Sequence, residues 1–253
     1  MSFPRRRESI ILSFTIYIPT ATHNDAVKKR HLKEISKTIA TVFAATCIYI
    51  YENTIRKEQE NMTSHIIIPS TRNDYALLIK GGQGGSACGY QNKYLNLAND
   101  IRDKYGITVV SCSTRDEPNS DNKTNQIAED IALVNDCCNS HPNILFMGMS
   151  KGASLGCIES SQIPQISRLL LINPPMMINL PRICHAAKNF SGEMMTFVFG
   201  SEDPSIKESE LLKLHERDSM KVVTIPGQDH YFSKDGFNLM TLVEEYLLFE
   251  LKR

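Results

Sequence analysis

The segment from Asn143 to Ala153 reads NILFMGMSKGA and constrains the fold more than any other part of the chain. Its apolar run, Ile144 to Met147, is typical of a buried strand, and a helical pattern follows the turn. Between them, Gly148 and Gly152 flank Ser150 in a G-x-S-x-G pentapeptide. Such a sharp strand-to-helix turn leaves no room for a Cβ beside the serine and exposes the serine hydroxyl above a sheet. Ser150 is therefore the candidate nucleophile, and an ordinary serine in a tight turn is the alternative.

Two later strand ends carry the partners that such a serine needs. The strand-like segment MMTFVF leads into a turn in which Asp203 is the candidate acid and Glu202 is a neighbouring rival. The short strand KVVTI is followed by His230, which stands next to Asp229. Taken alone, Asp203 is also typical of a helix cap, and His230 is also typical of a surface loop. In this chain order, each just past a strand, they predict a site that joins Ser150, His230 and Asp203.

These residue types predict acyl chemistry through a covalent intermediate. A serine hydroxyl is a weak nucleophile until an imidazole accepts its proton, and a buried carboxylate holds that imidazole in the required tautomer. The developing oxyanion also needs backbone N–H donors. We predict one donor at Lys151, directly after the serine, and a second at Gly82 or Gln83, in the glycine-rich segment after the strand Tyr75–Ile79.

The glycine-rich segment, Gly81 to Gly85, leaves a nucleotide-binding interpretation open. A strand, a glycine-rich loop and a helix can seat a pyrophosphate at a helix N-terminus. The match to G-x-G-x-x-G is partial, because Ala87 stands where the third glycine belongs. That interpretation also gives no role to Ser150, Asp203 or His230.

From about Ser64 onward the chain resembles the α/β-hydrolase superfamily, in particular its small bacterial serine hydrolases. The resemblance rests on the turn around Ser150, on the closing motif GQDHYF at Gly227–Phe232, and on Asn173–Pro175 after an apolar strand. Many relatives have His-Gly where this chain has Lys80-Gly81. The resemblance implies an α/β fold with a doubly wound, mostly parallel sheet, helices on both faces and a minimal or absent lid. It also implies hydrolysis of an ester, thioester or amide.

The alternation of strand and helix patterns predicts the same parallel sheet. Strands are predicted at His65–Ile68, Ala76–Ile79, Ile107–Ser111, Ile144–Met147, Leu169–Ile172, Thr196–Phe199 and Lys221–Thr224. Helices are predicted at Tyr90–Lys104, Gln126–Cys138, Ala153–Ser161 and Phe237–Phe249. Larger relatives insert a lid at the position of residues 174–190, where this chain has room for a loop or one short helix.

The composition excludes some classes of partner. Of the 253 residues 42% are hydrophobic, which is enough for one substantial core. Basic and acidic residues are equal in number, so we predict no extended basic surface for nucleic acid. Seven cysteines, an odd number without paired C-x-x-C spacing, favour reduced thiols in the cytoplasm. We expect a small acyl ester or thioester as partner and no cofactor or metal.

Residues 1–61 are predicted to be an N-terminal extension ahead of a catalytic domain at residues 62–253. The basic run Arg5–Arg7 precedes a short apolar stretch, as in a signal peptide. The apolar run Ile39–Tyr51 is shorter than the about 20 residues that span a membrane, and is interpreted as a helix packed on the domain or on a membrane surface. A biological start at Met62 is a third interpretation.

Together these features predict a serine hydrolase that cleaves a small carboxylic ester or thioester through an acyl-enzyme on Ser150. His230 would act as general base and then acid, and Asp203 would orient it. Acyl transfer on the same residues, and a binding protein of this fold without turnover, are the alternatives.

Overall fold

A computed structural model describes residues 64–115 and 125–251. The predicted extension at residues 1–61 and the proposed start at Met62 lie outside the described residues. The described strands are β1 His65–Ile68, β2 Arg72–Gln83, β3 Ile107–Thr114, β4 Asn143–Met149, β5 Ile166–Ile172, β6 Met194–Gly200 and β7 Met220–Ile225. The described helices are α1 Lys93–Tyr105, α2 Gln126–Cys138, α3 Lys151–Ser160, α4 Met176–Asn189, α5 Ile206–Lys213 and α6 Leu239–Tyr246.

The seven strands form one sheet in the order β1-β3-β2-β4-β5-β6-β7. Only β1 is antiparallel to its neighbour, and the remaining neighbours are parallel. The chain moves outward from β2 to β3 and then crosses to β4 on the other side of β2. In doubly wound sheets, ligands bind outside the carboxyl ends of the strands at such a switch point. Here those ends belong to β2 and β4, which lead to the glycine-rich segment and to Ser150.

Helices cover both faces of the sheet, as predicted. Strand residues alternate between the faces, because successive side chains point in opposite directions. In β4, Ile144 and Phe146 pack with α2, α3, α4 and α5, whereas Leu145 and Met147 pack with α1 and α6. All four side chains are fully buried. Each face therefore has its own apolar core, and β4 lies in the middle of both.

The predicted strands are all present, but β2 is longer than expected. It extends through Lys80, Gly81 and Gly82 to Gln83, where the sequence predicted a loop. The additional residues stay in the sheet because β3 also continues, to Thr114, and pairs with Gln83. The first residues of the glycine-rich segment therefore form the end of strand β2.

The two helices α4 and α5 differ from the sequence prediction. The region predicted as a loop or short helix contains α4, which has 14 residues with Pro181 inside it. Burial of Met176, Ile183 and Ala187 against the sheet compensates for the backbone hydrogen bond that proline cannot make. Helix α5 was not predicted at all. No helix among the described residues is long and apolar enough to cross a membrane.

Candidate active site

Ser150 occupies a strained turn between β4 and α3. Its φ and ψ are 54° and −121°, outside the regions that residues with a Cβ normally adopt. Its N–H donates to the carbonyl oxygen of Ile172 at 2.8 Å, and its own carbonyl accepts from the N–H of Ser154 at 3.1 Å. These bonds to β5 and α3 hold the serine in this conformation.

The two glycines beside Ser150 lie where a side chain would meet backbone. A Cβ on Gly148 would lie 2.6 Å from the Cα of Ala153. A Cβ on Gly152 would lie 2.3 Å from the carbonyl oxygen of Gly81. The predicted lack of space at both positions is therefore present. Its cause at Gly148 is the first turn of α3, and at Gly152 it is the close packing of α3 on the end of β2.

Replacing Gly152 with alanine is expected to lower the free energy of unfolding by about 1–3 kcal/mol, because an added methyl in a packed site forces backbone to move. The movement would separate α3 from the end of β2, so the reactivity of Ser150 should fall as well. Urea denaturation and the rate at which a serine-directed probe labels Ser150 measure the two effects. Gly106→Ala is the matched control, since φ at Gly106 is +68° but no atom lies within 4 Å of its added Cβ. It should lose stability and keep the reactivity of Ser150; equal reactivity of both variants would contradict the prediction.

The structure brings Ser150, His230 and Asp203 together. The His230 Nε2 lies 3.0 Å from Ser150 Oγ, and the His230 Nδ1 lies 2.5 Å from Asp203 Oδ2. The other carboxylate oxygen, Asp203 Oδ1, accepts from the N–H of Ser205 at 2.7 Å. Asp203 is 2% exposed, whereas the His230 side chain is 28% exposed. A buried carboxylate thus holds one imidazole nitrogen, and the other nitrogen faces the serine.

The neighbouring acids point elsewhere. Glu202 is exposed and forms an ion pair with Lys234. The carboxylate of Asp229 accepts from the N–H of Ser233 at 3.2 Å and from its hydroxyl at 2.9 Å. Burial by itself would raise the pKa of Asp229, but the hydrogen bonds outweigh it and the pKa lies below its usual value. Of the two candidate acids, the one that contacts His230 is Asp203.

Asn173 belongs to this site, although the sequence analysis named it only as part of a matching segment and gave it no role. It follows β5, is fully buried, and has a φ of 46°. Its side-chain Nδ2 donates to the carbonyl oxygens of Asp229 at 3.1 Å and His230 at 2.9 Å, and its Oδ1 accepts from the N–H of Gly200 at 2.9 Å. One amide therefore ties the histidine loop, the segment after β7 that carries Asp229 and His230, to the end of β6. A polar residue between an apolar strand and two prolines was the available signal.

Of the residues predicted to supply oxyanion donors, Lys151 and Gly82 lie next to Ser150. Lys151 is the first residue of α3, directly after Ser150. A Cβ on Gly82 would lie 3.3 Å from Ser150 Cβ and 3.8 Å from Ser150 Oγ, so the end of β2 passes beside the hydroxyl. Gln83 is the last residue of β2. The hydroxyl of Thr114 donates to the carbonyl of Gly81 at 2.6 Å and anchors this strand end.

Lys80, where many relatives have histidine, points into the protein. Its side chain is 1% exposed, and its ammonium donates to Asp130 Oδ2 on α2 at 2.5 Å. Burial raises the pKa of Asp130 above its usual value, although the positive charge of Lys80 opposes the shift. The ion pair links the end of β2 to α2. Lys80 comes one residue before Gly81, whose carbonyl oxygen lies next to Gly152 of α3.

A cleft of about 680 Å³ borders the residues that follow His230, and its lining does not include Ser150, Asp203 or His230. Its walls include Leu97 of α1 and Tyr231 and Phe232, the two residues after His230. The Tyr231 ring packs edge-on against the His230 ring, with centroids 5.3 Å apart. Tyr231 is 67% exposed. The cleft is therefore open to solvent on the side of the histidine.

No protein-family model matches this sequence, and no curated protein sequence is similar to it. Solved structures of similar fold are numerous. They include a dienelactone hydrolase from Anabaena variabilis (14% identity, TM-score 0.57, 74% of this chain and 92% of that chain). The esterase Pf2001 from Pyrococcus furiosus is also similar, with 14% identity and a TM-score of 0.55 over 74% of this chain and 92% of that chain. XC6422 from Xanthomonas campestris, described as a serine hydrolase without a lid, has 16% identity and a TM-score of 0.55 over 75% of this chain and 89% of that chain.

These similarities, together with the strand order, establish that the chain has the α/β-hydrolase fold. Within residues 64–115 and 125–251, no group of three or more His, Cys, Asp or Glu side chains is arranged to hold a metal ion.

Proposed function

We propose that the protein is a serine hydrolase that cleaves a small carboxylic ester or thioester through an acyl-enzyme on Ser150. The observation that carries the proposal is the continuous chain of contacts from Ser150 Oγ to His230 Nε2 and from His230 Nδ1 to Asp203 Oδ2. This arrangement is recognised by its geometry and its roles rather than by sequence position.

In the first step, Ser150 Oγ attacks the ester carbonyl carbon while His230 Nε2 takes the hydroxyl proton. The carbonyl π bond becomes an oxyanion, which the N–H groups of Lys151 and of Gly82 or Gln83 would stabilise. The oxyanion then collapses, the bond to the leaving alcohol or thiol breaks, and the imidazolium returns the proton to it. Asp203 stabilises the imidazolium and keeps Nε2 directed at the serine.

In the second step, water attacks the acyl carbon and His230 accepts its proton. Collapse of the second oxyanion releases the carboxylic acid and returns the proton to Ser150 Oγ. The 28% exposure of the His230 side chain gives water access to its imidazole, so water can serve as the acyl acceptor.

The structural neighbours give independent support. One is described as a dienelactone hydrolase, another as an esterase and a third as a serine hydrolase. The nucleotide-binding alternative loses its main support, because Gly81 and Gly82 belong to strand β2 and pack beside Gly152 and Ser150. A phosphate loop requires glycines free to wrap an anion.

Intact-protein mass spectrometry after exposure to a fluorophosphonate tests the proposal. An activated serine displaces fluoride and forms a stable Oγ–phosphorus bond, so we expect one adduct, located on Ser150 by peptide mapping. Ser150→Ala should gain no adduct under the same conditions. Ser154→Ala is the matched control, since Ser154 lies one turn further along α3 and its hydroxyl makes no hydrogen bond within the described residues.

A single adduct that survives Ser154→Ala and disappears in Ser150→Ala supports the function. An unlabelled but folded protein, or labelling at another serine, contradicts it and would leave a binding protein of the same fold as the better interpretation.

A further inference from the structure

Lys93 places a positive charge against Met149, the residue that precedes the candidate nucleophile. It is the first residue of α1, and its Nζ donates to the sulfur of Met149, the residue before Ser150, at 3.3 Å. The same Nζ lies 5.1 Å from the centroid of the Tyr94 ring. The lysine side chain is half-buried, so its ammonium is only partly hydrated.

The ammonium of Lys93 has no carboxylate in ion-pair contact among the described residues. A thioether sulfur and an aromatic ring are weak partners for a cation compared with a carboxylate. Burial lowers the pKa of Lys93, and the negative charge of Asp229 only partly opposes this. The carboxylate of Asp229 is itself occupied by Ser233. Lys93 therefore keeps capacity to bind an anion.

Lys93 also lines the cleft described above, so a bound molecule can reach it. The cleft wall includes Tyr231 and Phe232, which follow His230, while Lys93 contacts the residue before Ser150. The cleft wall therefore joins Lys93, which contacts the residue before Ser150, to Tyr231, which packs against His230. Leu97 and Phe237 add apolar side chains to a wall that also contains polar residues such as Asn96 and Asn238.

We propose that Lys93 binds a carboxylate of the substrate, so that the protein acts on esters that carry a negative charge close to the scissile bond. This inference rests on the serine-hydrolase function proposed above and names its substrate class. An anion at this point gives the half-buried ammonium the charged partner it lacks, and hydrogen bonds to charged groups are stronger than neutral ones. The apolar side chains of the wall accommodate the hydrocarbon part of the ester.

The other charge in the cleft lies away from Lys93. Asp100 also lines the cleft, but it is two turns further along α1, about 10 Å along the helix axis. Asp100 is exposed, so water screens its repulsion of an anion. The cleft therefore favours a negative group at its Lys93 end.

The experiment compares kcat/KM for matched charged and neutral esters. One pair carries the charge on the acid side, monophenyl adipate against phenyl hexanoate. The second carries it on the leaving group, 4-acetoxybenzoate against 4-methylphenyl acetate. The unmodified protein is compared with Lys93→Met, which removes the charge and keeps an unbranched side chain. Lys221→Met is the control, because Lys221 is exposed near the amino end of β7, at the opposite end of the strand from the histidine loop.

We expect the charged-to-neutral ratio of kcat/KM to fall about 10- to 100-fold in Lys93→Met for at least one pair, and not in Lys221→Met. Added salt should reduce the same ratio in the unmodified protein. An unchanged ratio for both pairs, in a protein that still forms the Ser150 adduct, overturns the role of Lys93 and leaves the hydrolase function standing. Absence of the adduct overturns both.

Discussion

Replacing His230 with alanine is expected to lower kcat for a hydrolysable ester by about a millionfold, the scale seen when a serine nucleophile loses its base. The reason lies in the contacts: His230 is the group in hydrogen-bond distance of Ser150 Oγ, and it is held there by the buried Asp203. Steady-state kinetics with a chromogenic ester in excess over the enzyme measure the loss.

The control for this prediction is His141→Ala. His141 is an exposed residue just before β4, at the end of the strand opposite Ser150. It should leave kcat unchanged. If His230→Ala retained kcat within about tenfold of the unmodified value, general-base catalysis by this residue would be excluded, because positioned acid–base groups contribute about 10²-fold or more.

Replacing Lys80 with methionine is expected to lower the free energy of unfolding by about 3–5 kcal/mol, because removal of one partner leaves the other as an uncompensated buried charge. The Lys80 side chain is 1% exposed and that of its partner Asp130 is 14% exposed. Urea denaturation followed by circular dichroism measures the change. The double variant Lys80→Met/Asp130→Leu should recover much of the loss, since an apolar pair leaves no unpaired charge behind.

The stability deficit of Lys80→Met should also depend on pH. Burial raises the pKa of Asp130 in the folded protein, and without the opposing ammonium that pKa rises further. A carboxyl group whose pKa is higher in the folded than in the unfolded state favours folding at acid pH, and this contribution is lost as pH rises through the folded pKa. The deficit should therefore be smallest in acid and grow toward neutral pH. A deficit that does not change with pH would exclude Asp130 as its source.

The strands and the turn at Ser150 could be predicted because their signals are local. Four consecutive apolar residues at Ile144–Met147 mark a buried strand, and two glycines mark the turn that follows. Helix α2 was predicted with its observed bounds. In the structure the Asn125 side chain caps it and accepts from the N–H of Ala128 at 2.8 Å. The order of Ser150, Asp203 and His230 along the chain, each just past a strand, also indicated that the three residues form one site.

The features that the sequence did not reveal depend on residues far apart in the chain. Lys80 meets Asp130 only after α2 packs on the sheet, and nothing near either residue indicates the pairing. Asn173 resembles a turn residue until the histidine loop folds over it. Lys93 reads as an ordinary helix residue until α1 brings it to Met149. Helix α4 tolerates Pro181 because tertiary packing outweighs local propensity.

The position of β7 at the edge of the described sheet affects how the site comes into being. Every parallel pair in this sheet joins segments that are distant in sequence, and such contacts form slowly. A chain in which β7 has not paired with β6 lacks the base that follows β7. Reactivity of Ser150 toward a fluorophosphonate is therefore expected to count only the molecules in which this strand pair has formed, and to follow its formation during refolding.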